Sequence, residues 1–193
     1  MMTQERAMQI FDEAGVLLKG HFRLTSGRHS NMYLQCAHIF QNPKYSVELC
    51  SALACKFRGQ GIGAVIGPAM GAVQMAYEVS RSLGCENFFT ERGDDGKMAL
   101  RRGFEIKPGQ KVLVVEDVVT TGGSVCEVMD IVRAAGGHVA GVGAIVDRTG
   151  GKIDFGVPFC AVVSLNIESW EPDDCPLCKA GAPAPVKPGS RKF

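Results

Sequence analysis

An apolar run that ends in two adjacent acids, followed by two hydroxyls, two glycines and a serine, spans Val112 to Ser124 as VLVVEDVVTTGGS. Gly122 and Gly123 allow backbone amides to approach a ligand closely, while Thr120, Thr121 and Ser124 add hydroxyl donors at the positive end expected of a following helix. Such a set suits a phosphate monoester. Glu116 and Asp117, set back from the hydroxyls by Val118 and Val119, would repel that phosphate. They should instead face groups that donate hydrogen bonds or carry positive charge: a ribose cis-diol fits, and so does hydrated magnesium. Ribose 5-phosphate is the economical ligand, its sugar and phosphate read by one turn. An ordinary strand-to-helix turn would leave the ordered acids, hydroxyls and glycines unexplained. Other nucleotide motifs fit less well, because the chain has no GxxxxGK[ST] and Gly61-Ile62-Gly63 precedes its strand instead of following it.

Elements on either side must hold that turn in place. Residues 4 to 14 have helical spacing (Ala7, Met8, Phe11, Ala14), and VLLKGHFRL and MYLQC read as two strands around a polar connection from Thr25 to Ser30. Pro43 opens a helix to about Arg58; AVIG, a Gly/Pro loop and a helix from Ala72 to Leu83 follow. NFFT is a short strand, and Asp95-Gly96 marks a hairpin turn between charged arms. KVLVV is a buried strand, Ser124 to Ala135 a helix, VAGVGAIV another strand and FCAVVSL the last. This alternation predicts an α/β fold: a mainly parallel sheet flanked by helices, with ligands beyond the carboxyl ends of the strands. Residues 1 to 170 read as a single domain and 171 to 193, rich in proline, glycine and charge, as an irregular tail.

Bulk composition narrows the partners. With 193 residues, 46% hydrophobic and 21% charged, the chain can bury one sizeable core. Lysine plus arginine (21) nearly balance aspartate plus glutamate (20), which argues against a nucleic-acid surface. The first residues lack a signal peptide's apolar centre and no later run reaches membrane-spanning length, so the expectation is a cytoplasmic protein without a membrane partner.

The segment VLVVEDVVTTGGS closely resembles the donor-binding signature of type I phosphoribosyltransferases. LTSGRHS with MYLQ, the GPA loop at 67 to 69, the charged 91 to 103 segment and VDR at 146 to 148 resemble the orotate-using branch of that family, over about residues 5 to 170. The resemblance implies a type I phosphoribosyltransferase fold with a small N-terminal hood built largely from residues 1 to 40. It implies a homodimer that uses 5-phosphoribosyl 1-diphosphate and orotate to make orotidine 5'-phosphate, with Mg2+ as cofactor. No metal ligand is expected from the protein directly, since the ion would be held by substrate and water.

By the same resemblance Glu116, Asp117 and Lys97 are catalytic. The donor site comprises Arg92 and the run Glu116, Asp117, Val118, Val119, Thr120, Thr121, Gly122, Gly123 and Ser124. Arg101 and Arg102 lie on the same 91 to 103 segment, a mobile lid that in the family often crosses to the partner subunit. Its charges taken alone would equally make a solvated hairpin. Orotate differs from uracil by a carboxylate, which an arginine can grip bidentately. Arg148 and Thr120 would meet orotate, backbone groups around Tyr33 and Leu34 would pair with its ring edge, and Arg28 would be structural. Many relatives carry lysine where this chain has Thr25 and Gly71.

Two rival activities share part of the pattern. A purine phosphoribosyltransferase would keep residues 116 to 124 but not LTSGR and VDR, and a non-catalytic donor-sensing regulator should carry a nucleic-acid-binding segment. Eight cysteines read mostly as reduced core residues. Cys175-Pro176-Leu177-Cys178 has metal or redox spacing, but no second pair follows it; a tail turn with two thiols, an oxidisable pair and a zinc shared between subunits all stay open. His21, His29, His38 and His138 show no mutual metal spacing and read as structural or surface groups.

Overall fold

The structure is a computed structural model that describes residues 2–24 and 26–188. Helix α1 (Gln4–Glu13) starts where the Thr3 hydroxyl accepts from Arg6 N–H, and it buries Ala7, Ile10 and Phe11 on one face. Strands β1 (Leu17–Arg23) and β2 (His29–Leu34) pair antiparallel as a separate two-stranded sheet, the hood. A short helix, α2 (Ala37–Gln41), which the sequence pattern does not announce, leads to α3 (Pro43–Cys55), capped by Asn42 with Pro43 in its first turn.

Strand β3 (Ala64–Pro68), helix α4 (Val73–Leu83), strand β4 (Glu86–Arg92), strand β5 (Met98–Leu100), strand β6 (Lys111–Val119), helix α5 (Gly123–Ala134), strand β7 (His138–Asp147) and strand β8 (Phe159–Ser164) complete the core. Their sheet runs β5-β4-β3-β6-β7-β8, parallel except for β5, which returns antiparallel beside β4. Both faces of β6 are covered, as its unbroken apolar run requires. Leu113 and Val115 pack with Leu49, Leu53, Met75 and Val79 of α3 and α4, while Val112 and Val114 pack with Val125, Val128 and Val132 of α5.

The chain leaves β3 outward to β4 and β5, then returns to β6 on the other side of β3. That reversal opens a crevice beyond the carboxyl ends of β3 and β6, where open α/β sheets place their ligands. Gly67, at the end of β3, is required by space: a Cβ there would lie 2.7 Å from Ala72 Cβ and 3.1 Å from Val115 O.

Past Glu171 most of the described residues lie outside regular elements, but the segment is docked. It carries a 3-10 turn (Pro172–Asp174) and helix α6 (Pro176–Lys179), and, together with Trp170 just before it, it borders the hood on both edges. Trp170 exchanges backbone hydrogen bonds with His29 (2.8 and 2.9 Å), while Val186 accepts from Arg23 N–H (2.9 Å) and donates to His21 O (2.8 Å).

Candidate active site

Strand β6 delivers Glu116 and Asp117 half-buried at the crevice. Asp117 Oδ1 accepts from Val118 N–H at 2.8 Å, and Glu116 Oε1 accepts from Asp117 N–H at 3.3 Å. Burial pushes the Asp117 carboxyl above its ordinary value, against hydrogen bonds involving Glu116 and Val118 that hold it down. A Cβ on Gly71 would lie 2.8 Å from Asp117 Oδ2, so the loop after β3 presses backbone against this acid. The lysine of many relatives would need a different packing here. Thr25, the other such position, lies outside the described residues.

Thr120 and Thr121 are exposed on the turn between β6 and α5, Gly122 caps the helix, and Gly123 and Ser124 open it. Together with Glu116 and the residues from Val118 to Val125 they enclose a cradle of about 50 Å³. Gly122 has φ +76°, and a Cβ on it would come within 2.3 Å of Ile153 Cδ1 and 2.9 Å of Phe155 Cε1. Glycine is therefore required twice over, by backbone conformation and by space.

Val119 pairs with Asp147 across β6 and β7, so Thr120 and Arg148 leave the sheet side by side. Arg148 N–H donates to Val119 O at 2.8 Å, but its buried Nε has no hydrogen-bond partner. Desolvation lowers the guanidinium pKa from its usual value. Asp147, quoted in VDR but given no role by sequence reasoning, is buried and accepts from Thr149 N–H (2.7 Å) and Gly151 N–H (3.3 Å). It thereby shapes the loop that follows Arg148.

Tyr33 and Leu34 lie on β2, opposite Leu18 and Leu17. Just beyond them is Cys36, whose thiol is pushed well above its ordinary value by burial and then by Asp117 and Glu116. Cys36 therefore feels the charge of the acid pair. Apolar sequence context concealed it, since nothing there distinguishes Cys36 from the other core cysteines.

The charged hairpin forms as the Asp95-Gly96 turn predicts, with Gly96 N–H donating to Gly93 O at 2.9 Å. Its arginines are engaged within the chain. Arg92 grips Glu127 of α5 bidentately at 2.8 and 3.0 Å and donates to Gly96 O at 2.7 Å. Arg102 bonds Glu91 at 2.9 Å and lies over the Phe89 ring, and Arg101 is 3.9 Å from Glu91. Lys97 contributes its backbone N–H to Asp95. The hairpin is thus not drawn into the crevice in this conformation. Arg28 is structural, bonding Ser169 Oγ at 3.0 Å and Ser169 O at 2.5 Å and pairing with Glu171.

One grouping is not visible along the sequence. His21, His29, Cys175 and Cys178 show no metal spacing along the chain, yet their ligating atoms all lie within 4.8 Å of one another. Tail docking against the hood, which sequence distance hides, brings them together.

Residues 38–177 match the family described as phosphoribosyl transferase domain. The chain is 59% identical over 192 residues to the orotate phosphoribosyltransferase of Thermoanaerobacter sp., and 55% identical over 192 residues to that of Desulforamulus reducens. Both matches cover 100% of each chain and so include the tail. Among solved structures, the orotate phosphoribosyltransferase of Aeropyrum pernix superposes with a TM-score of 0.68 at 25% identity, covering 81% of this chain and 92% of that one.

Proposed function

Because the chain belongs to the phosphoribosyl transferase domain family and, within it, to the orotate phosphoribosyltransferases, we propose that it transfers the 5-phosphoribosyl group of 5-phosphoribosyl 1-diphosphate to orotate. The products are orotidine 5'-phosphate and diphosphate, a step of pyrimidine biosynthesis. The observation that carries the acceptor is Arg148: a half-buried guanidinium with an orphaned Nε, beside Thr120, is a site prepared for a carboxylate.

The 5-phosphate sits in the Thr120 to Ser124 cradle, where backbone amides and hydroxyls converge on the start of α5. Glu116 and Asp117 accept from the ribose hydroxyls and place negative potential beside the anomeric carbon. As the C–O bond to diphosphate breaks, its electron pair leaves with the diphosphate, and the deprotonated pyrimidine nitrogen supplies the pair for the new C–N bond. Fixed carboxylates at the intermediate cationic sugar act by preorganised electrostatics, with no covalent enzyme intermediate. Main-chain groups around Tyr33 and Leu34 close on the ring edge from the hood.

The donor set suits Mg2+ held through substrate and water. It is all oxygen, the hard ligand type that Mg2+ takes. When bound, the ion would neutralise the diphosphate leaving group. Arg92 and Lys97 would supply further positive charge once the hairpin moves. The exposed Arg92–Glu127 pair should give way readily, since such pairs are worth about 1 kcal/mol or less.

A homodimer is part of this reading, with the 91 to 103 hairpin reaching the partner's crevice. Met70 is 82% exposed and Tyr77 59% exposed, on α4 and the loop before it, an apolar surface that a second copy could cover. A cytoplasmic location accords with the absence, among the described residues, of any helix long and apolar enough to cross a membrane.

Purified protein, Mg2+ and donor are mixed with orotate, uracil, hypoxanthine or adenine in turn, and diphosphate release is measured. Release with orotate alone is expected. Release with a purine and none with orotate would overturn the acceptor assignment while leaving the donor site intact.

A further inference from the structure

We propose that His21, His29, Cys175 and Cys178 bind one Zn2+ ion in a closed tetrahedral site that fastens the C-terminal tail to the hood.

Geometry carries the proposal. His21 Nε2 lies 3.3 Å from His29 Nδ1, 3.5 Å from Cys175 Sγ and 3.7 Å from Cys178 Sγ, and Cys178 Sγ lies 3.3 Å from His29 Nδ1. Zinc holds sulfur at about 2.3 Å and imidazole nitrogen at about 2.0 to 2.1 Å, so a tetrahedron has N···N edges of about 3.3 Å and S···N edges of about 3.5 Å. These four separations lie close to those edges, and all four ligand atoms lie within 4.8 Å of one another. The ligands need little rearrangement to receive the ion.

Orientation supports it independently. The other nitrogen of His21, Nδ1, lies 2.8 Å from Pro183 O. A carbonyl there fixes the tautomer with Nδ1–H donating and Nε2 bare, as metal-binding histidines are commonly held. Pro183 belongs to the tail, so the same segment that brings the cysteines also orients the histidine. Pairing between β1 and β2 slips between Lys19 and Phe22, leaving Gly20 and His21 opposite Asn31 alone. Such a bulge re-aims a side chain, here towards His29 and the tail.

Burial also points to an ion. Cys175 is fully buried although its neighbours Glu171 to Asp174 and Lys179 to Gly181 are exposed, and His29 is buried beside it. Lys179 N–H donates to Cys175 O at 3.1 Å, closing the Cys-Pro-Leu-Cys turn so that both thiols face the histidines. Thiolates and imidazoles select zinc over magnesium, and four protein ligands fill the shell, which marks a structural site. Binding turns two thiols into thiolates and releases their two protons, so the bound centre is neutral.

The role follows from where the ligands lie. An isolated two-stranded hairpin is marginal in water. The hood has only β1 and β2, widened by Trp170 on one edge and Val186 on the other. An ion bonded to both strands and to the tail between those contacts locks that arrangement.

The test uses full-length protein purified under reducing conditions without a metal-affinity tag, with zinc measured by elemental analysis and released zinc by a colorimetric chelator after thiol modification. One zinc per chain is expected, falling to near zero in Cys178→Ser and persisting in Cys55→Ser, an exposed cysteine outside the cluster. Should Cys178→Ser fail to fold, wild-type protein stripped of metal and refilled with Co2+ should show the intense tetrahedral d–d and thiolate charge-transfer absorption of a site with two sulfurs. A reduced protein that lacks zinc and takes up Co2+ without those bands would overturn the proposal. Protein purified without reductant that binds no metal and whose mass is two hydrogen atoms low, restored by reductant, would overturn it in favour of a Cys175–Cys178 disulfide.

Discussion

Arg148 and Asp117 bear opposite electrostatic burdens, and each yields a test. Arg148 holds a desolvated positive charge with an unpartnered Nε. A carboxylate arriving there gains a charge-assisted bond worth about 1.5 to 3 kcal/mol, or roughly 10- to 100-fold in binding. Arg148→Ala should therefore raise KM for orotate by about that factor and leave donor affinity nearly unchanged; steady-state kinetics with each substrate varied would check it. Asp117 bears an unfavourable negative charge. Its pKa is raised in the folded state, so the folded protein holds the proton more tightly than the unfolded chain. The cost of ionising it is absent below the ordinary carboxylate value, grows as pH rises, and is complete above the raised value. Asp117→Asn keeps the oxygen that accepts from Val118 and removes the charge. The variant should lose about 100-fold in kcat, in keeping with loss of a preorganised electrostatic group, yet melt higher than wild type at pH 8, with the gain shrinking as the pH is lowered towards 4. A melting series against pH would reveal an unchanged difference, and that result would remove the charge-burial explanation.

At the scale of elements, the turn between β6 and α5 works because Gly122 occupies a conformation and a space that no other residue can. Gly122→Ala would place a methyl group within 2.3 Å of Ile153 and force φ +76° on a residue with a Cβ. Donor binding, followed by calorimetry, should fall at least tenfold, with a loss of stability of about 1 to 3 kcal/mol. This turn was legible in sequence because its chemistry is local: acids, hydroxyls and glycines all lie within one strand-to-helix connection. The parallel sheet was legible for a related reason, since alternating strand and helix periods leave few topologies open. Helix α2 escaped because five residues are too few to establish a period. Asp147 escaped because a buried acid bonding to nearby amides leaves no pattern of its own. The histidine and cysteine cluster escaped for a different reason: His21 and Cys178 are 157 residues apart, and only the docking of the tail makes them neighbours.

For the whole molecule, the tail and the residues just before it brace the two-stranded hood. Four backbone hydrogen bonds tie Trp170 and Val186 to the hood strands, and Arg28 reaches Ser169 and Glu171. The core sheet, by contrast, has its apolar faces closed by α3, α4 and α5, and among the described residues neither core cluster includes one past Glu171. Removal of residues 171–193 should therefore separate the two regions. The core should still fold and bind the donor at the proposed site Glu116 to Ser124, which strand β6 and the start of α5 hold in place. The hood would keep only β1, β2 and the Trp170 contact, too little for a rigid sheet. Amides of Arg23 and His29 should then exchange hydrogen for deuterium much faster, while those of β6 keep their protection. KM for orotate, which the proposed backbone contacts around Tyr33 and Leu34 would help to hold, should rise by about tenfold, the equivalent of 1.4 kcal/mol. If instead donor binding and β6 protection collapse with the hood, tail and core form one cooperative unit, and the tail contributes to the fold as a whole.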